Sequence, residues 1–246
     1  MKKNLLSLVI ITSLFFVFGF SHSSSAEKAT GKEYEEKSIE ESYRDAVKGI
    51  SDIDTSKFDI SSEVSTISAN STNSLSANPL DVEKYSTAQI LSETVNTQGD
   101  KEQLIAVTVF NDIGVEDESG ESEIGIFGDK GNSTGDLFAR AYSRIYYISS
   151  SSRGVSYAKL TRVTGGWEVM NPLTTLGNKT VRYGSSGWPN GTQAGTKYPS
   201  LNSYSYTMPS SWGKTALTGS YAIGTTSTVT VYRSGASYTI KLNNNL

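Results

Sequence analysis

Hydrophobic and polar residues follow two different periods along the chain. Between Gly31 and Gly49, Ile39, Tyr43, Ala46 and then Ile50 recur at helical spacing, which predicts an amphipathic helix. Ser38-Ile-Glu-Glu41 has the form of a capping box at its start. From Leu137 onward the period is two. In Leu137–Ile148 one set is Leu137, Ala139, Ala141, Ser143, Ile145 and Tyr147, and the other is Phe138, Arg140, Tyr142, Arg144, Tyr146 and Ile148. A strand places these sets on opposite faces. Further strands are predicted at Ala88–Val95, Gln103–Ile113, Val155–Thr164, Trp167–Met170, Lys179–Tyr183, Ser203–Met208, Leu217–Ile223, Thr226–Arg233 and Ser237–Leu242. Gln103–Ile113 is apolar on both faces, as a strand covered on both sides should be.

Turns are predicted at Asn96–Lys101, Ser152-Arg153-Gly154, Gly165-Gly166 and Ser234-Gly235, because glycine accepts the positive φ that tight hairpins need. Short strands joined this way predict a mainly β chain. Its C-terminal part, 137–246, reads as an antiparallel β-sandwich, with a partly closed β-barrel as the alternative. Two stretches lack either period. Ser61–Asn78 is rich in Ser, Thr and Asn and reads as a mobile linker, since it has little apolar surface to bury. Gly184–Asn202 contains Trp188, Tyr198 and four glycines and reads as a long, functional loop.

The N-terminus changes the picture of where the protein works. Lys2 and Lys3 precede an apolar run from Leu5 to Phe20, followed by Ser24-Ser25-Ala26. This is the layout of a secretory signal peptide cleaved between Ala26 and Glu27. The expected product is a secreted, extracellular chain of 220 residues. His22, the single histidine, leaves with the signal, and the sequence has no cysteine. The organisation expected is therefore a signal peptide (1–26), an acidic helix with its linker (27–78), an acidic region with a β-hairpin (79–136) and the sandwich (137–246).

Charge is divided along the same line. Residues 27–136 carry 24 acidic against nine basic side chains, whereas 137–246 carry eleven basic ones and a single acid, Glu168. Such asymmetry points to an anionic partner for the basic part, with the acidic region as a prosegment or shield.

The residue inventory removes several chemistries. Without histidine or cysteine, the mature chain has no imidazole base for a Ser-His-Asp triad, no Cys-His pair and no H-E-x-x-H zinc site. A glycosidase would need a second carboxylate from the acidic half to face Glu168. Two S-x-x-K matches, Ser156–Lys159 and Ser211–Lys214, lack the helical setting that brings i and i+3 together. The loop Asp129–Asp136 has calcium-type oxygen ligands but misses the EF-hand spacing. No enzyme activity, cofactor or metal is expected.

What remains is a surface that binds. If Ala139, Ala141 and Ile145 face the core, the row Arg140, Tyr142, Arg144 and Tyr146 is exposed and offers guanidinium and phenol groups to phosphate, carboxylate or sugar. Trp188 and Tyr198 add stacking surface. The function expected is a secreted, non-catalytic protein whose basic domain binds an anionic bacterial cell-envelope surface, a cell-wall polymer or a membrane, with antibacterial, bacteriocin-like or pore-forming action as one outcome. The alternatives are a carbohydrate-binding, adhesive module and a carboxylate-dependent hydrolase that needs both halves. Nucleic acid is not an expected partner. The plan is similar to that of proteins exported by Gram-positive bacteria, with no motif that marks one family.

Overall fold

Strand alternation becomes two stacked antiparallel sheets. The computed structural model describes residues 38–67, 80–95, 99–115, 137–233 and 235–246. The segment read as a signal peptide, the cleavage expected between Ala26 and Glu27 and the loop Asp129–Asp136 lie outside them. Helix α1 spans Ile39–Val47. The strands are β1 (Asp59–Ile67), β2 (Leu80–Val95), β3 (Lys101–Val115), β4 (Ala139–Ser152), β5 (Val155–Val169), β6 (Thr174–Gly187), β7 (Gly191–Lys197), β8 (Ser203–Thr207), β9 (Thr215–Ala216), β10 (Ala222–Arg233) and β11 (Ala236–Asn245). One sheet has the order β1-β11-β10-β6-β7. The other has β2-β3-β4-β5-β8, with β9 also beside β5. The chain is thus mainly β, two antiparallel sheets packed face to face, and no closed barrel forms among the described residues.

The core is the inner face of each sheet. Val107, Val109, Ile145 and Val163 from one sheet share a single buried cluster with Val229, Val231, Ile240 and Leu242 from the other. Asn244 is a polar tie within it. Its fully buried amide donates to the carbonyls of Val107 and Ser143, both at 3.0 Å, so β11 is fastened to β3 and β4 across the gap. Replacing Asn244 with Leu removes both donors and leaves two buried acceptors short of a partner. The expected cost is about 2 kcal/mol, read as a lower denaturant midpoint at unchanged slope; an unchanged midpoint would show that the tie carries no net stability.

Several elements differ from the sequence expectation. The sandwich does not begin at residue 137: β1, β2 and β3 are already strands of its two sheets. β2 and β3 of the acidic front continue the sheet of β4. Ser61–Ile67, read as linker, is the greater part of β1 and pairs with β11 from Ser61↔Asn243 to Ile67↔Ser237. The sequence distance hid this partner, which satisfies the backbone groups that composition alone leaves open. Gly165-Gly166 is not a turn but lies within β5, where Tyr204 and Tyr142 take the room that side chains would occupy. Gly184–Asn202 is mostly the β6–β7 hairpin rather than a loop. Leu217–Tyr221 is irregular and leads into β10.

Helix α1 is capped as expected, with the Ser38 hydroxyl accepting from the Glu41 amide at 3.1 Å. Its buried positions are Ser42 and Ala46, however, and Ile39 and Ile50 remain 46% exposed. The chain leaving the helix runs along the outer edge of β2. Asp52 N donates to the Ala88 carbonyl, the Asp52 carboxylate accepts from Ile90 N, and Gln89 donates to the Ile50 carbonyl. This edge, which would otherwise present free backbone groups, is covered, and α1 is held over the outer face of the second sheet.

Candidate functional site

The alternation in β4 is as read from the sequence, with Ala139, Ala141, Ile145 and Tyr147 in the inter-sheet core. The exposure of the opposite row is not. Arg144 is 1% and Tyr146 5% exposed, because Ser42 and Tyr43 of α1 meet Arg144 while Tyr146 packs with Leu91 and Ala106 of β2 and β3. The Arg144 guanidinium donates to the Ser42 hydroxyl and to Thr108 Oγ1, each at 2.8 Å. It also sits over the rings of Tyr43 and Tyr146, 5.8 and 5.3 Å from their centroids. Burial pulls the Arg144 pKa below its ordinary value, and burial raises those of Tyr43 and Tyr142. Tyr142 and Phe110 pack under Tyr43, with centroids 6.2 and 6.3 Å from its ring. Arg140 is clamped by the nearly buried Asp112 through Nε at 2.6 Å and Nη2 at 2.7 Å. This bonding holds the Arg140 pKa above its usual range. The acidic and basic halves thus share both sheets and meet at the β3–β4 and β1–β11 pairs, the latter carrying the Glu63–Lys241 ion pair.

Trp188 is where an exposed site remains. It follows Gly187 at the tip of the β6–β7 hairpin, is joined to Pro189 by a cis peptide bond and is 67% exposed. The neighbouring segment 213–216 is laced to this tip. Ala216 N donates to the Trp188 carbonyl at 2.8 Å, Asn190 to the Lys214 carbonyl at 2.8 Å, and Gly213 N to Gln193 Oε1 at 2.7 Å. A Cβ at Gly213 would overlap the Asn190 side chain, so glycine is what allows the two segments to meet. The lacing places the Lys214 ammonium 4.2 Å from the Tyr157 ring centroid, and the Tyr157 ring lies 6.3 Å from that of Trp188. Lys214 also borders a cavity of about 480 Å³ lined by Thr94, Asp100, Lys101, Glu102 and serines 150–152.

The end of the sandwich thus joins an exposed indole, a cation over a phenol, and a hollow of hydroxyls and carboxylates. This set suits a polyhydroxylated ligand: flat aromatic faces stack on sugar rings, while hydroxyl, carboxylate and ammonium groups exchange hydrogen bonds with water for those with the ligand. Among the described residues no group of three His, Cys, Asp or Glu gathers to hold a metal ion.

The six residues singled out in the sequence do not form one surface. Tyr142 and Arg144 meet α1, Arg140 is held by Asp112, Tyr146 packs with Leu91 and Ala106, Trp188 stands at the hairpin tip, and Tyr198, 77% exposed, follows the far end of β7. Tyr157 and Lys214 were missed, although both occur inside the two S-x-x-K matches. The only signal in the sequence was the Gly-rich surroundings of Trp188 and Lys214, which permit close backbone approach.

The fold and this end define a two-sheet antiparallel β protein with a surface site of aromatic, cationic and hydroxyl groups. Comparison with protein-family models, with curated proteins and with solved structures finds no match.

Proposed function

We propose that this is a secreted, non-catalytic protein that binds the bacterial cell envelope through its glycan polymers, with the Trp188 end of the sandwich as the contact surface. The observation that carries this reading is an indole left two-thirds exposed on a hairpin tip tied to its neighbour by three hydrogen bonds. The tie fixes the backbone that carries the ring, so the hairpin itself needs little further ordering when the indole stacks on a sugar. Lys214 adds a point charge for a phosphate or carboxylate on the same polymer. Stacking should persist in salt, whereas the contribution of Lys214 should fade once the Debye length falls to a few ångströms. The leader-like N-terminus supports export. Among the described residues no helix is long and apolar enough to cross a membrane.

The test is sedimentation of the intact chain with purified Gram-positive cell walls. Trp188→Ala should weaken binding about tenfold, as an interface anchor does, at an unchanged thermal midpoint because the ring is largely in water. Lys214→Ala should weaken binding at low salt and have little effect at high salt. Wild-type binding by Trp188→Ala would refute the site.

A further inference from the structure

Arg144 presents a second problem that the Trp188 end does not address. It is 1% exposed, and among the described residues its partners are hydroxyls, a carbonyl and two phenol rings, with no carboxylate. Its Nε has no hydrogen-bond partner. A buried cation without a counter-charge is costly to keep, and cation–π contacts offset only part of that cost. Next to it, Tyr146 pairs across the strands with Arg162, whose guanidinium lies 5.6 Å from the same ring centroid. Two guanidiniums thus flank one phenol on the outer face of the second sheet, and Arg162 is bonded only to the Ser205 hydroxyl among the contacts described.

The cover over this group is slight. α1 has nine residues, too few to be stable alone, and it fully buries only Ser42 and Ala46, while Ile39 and Ile50 stay about half in solvent. Lifting it would return Arg144 to water, beside Tyr146 and the half-buried Arg162 on the same face of the sheet.

We propose that α1 is a displaceable strap over Arg144, and that Arg144 and Arg162, on either side of Tyr146, form a binding site for the phosphate groups of an anionic polymer. Guanidinium forks match phosphate oxygens in geometry and charge, and an incoming phosphate would provide the counter-charge that Arg144 lacks. This site is separate from the Trp188 end and does not depend on it.

The experiment uses the full mature chain and sodium polyphosphate as probe, at low salt. Ala46 is fully buried, so Ala46→Trp places a bulky, uncharged ring where only a methyl group fits and should open the strap. Polyphosphate should then bind about tenfold tighter, the gain expected when a state populated about one part in ten becomes the resting one. Adding Arg144→Gln and Arg162→Gln should abolish the gain. In the wild-type chain, hydrogen exchange of the α1 amides should accelerate when polyphosphate is added, while β4 amides stay protected. That measurement decides the matter even if Ala46→Trp fails to fold. Unchanged or slower α1 exchange with saturating polyphosphate, or a gain that survives loss of both arginines, would overturn the proposal. Binding to phosphatidylglycerol vesicles without binding to polyphosphate would overturn the assignment to a polymer.

Discussion

Asp112→Ala should lower the unfolding free energy by about 3 kcal/mol, the cost of removing one partner from a largely buried ion pair. Asp112 is 4% exposed and takes two short hydrogen bonds from Arg140. Without it, Arg140 has only Glu168, whose carboxylate is 3.9 Å away and half in solvent. The measurement is a denaturant midpoint, and a second variant gives it meaning. If the loss comes from a stranded guanidinium, Arg140→Met in the same chain should recover part of it, because a pair removed together leaves no uncompensated charge. A double variant no more stable than Asp112→Ala would show that Asp112 acts by some route other than Arg140.

Phe110→Ala should be at least as damaging, at about 3–5 kcal/mol for loss of a buried phenyl ring. Phe110 is 1% exposed, stacks on Tyr85 at 4.5 Å between centroids and supports Tyr43 and Tyr142. It lies on the outer face of β3, so the space it leaves opens beneath α1 rather than in the inter-sheet core. The loss should therefore be uneven. Hydrogen exchange should rise first in α1 and β2, with β10 and β11 least affected. Uniform loss of protection would mean that the two faces of this sheet unfold as one and that α1 is not a separate unit.

These two side chains also show why the charge profile of the sequence misleads. Asp112 belongs to the acidic half and Arg140 to the basic half, yet Asp112↔Arg140 are register partners on adjacent strands. A fragment starting at residue 137 would leave β4 without β3 and β11 without β1, with two bare sheet edges prone to association. Binding experiments on this protein therefore need the acidic and basic halves together.

The sequence by itself determined the alternation of β4, the capped start of α1 at Ser38, the double-sided burial of β3, and the hairpin at Arg153-Gly154, where both residues adopt positive φ. Each is a local property, set by side-chain period or by the backbone freedom of one or two residues. Only the tertiary structure decided that Ser61–Ile67 is a strand, since its partner β11 lies more than 150 residues further along the chain. It alone decided that the Arg140–Tyr146 row is covered, because period two assigns residues to faces and is silent on what lies over a face. It also brought Lys214 to Tyr157 and Trp188. Those residues share no periodic pattern, and their meeting depends on the lacing of two Gly-containing segments that only the folded chain places side by side.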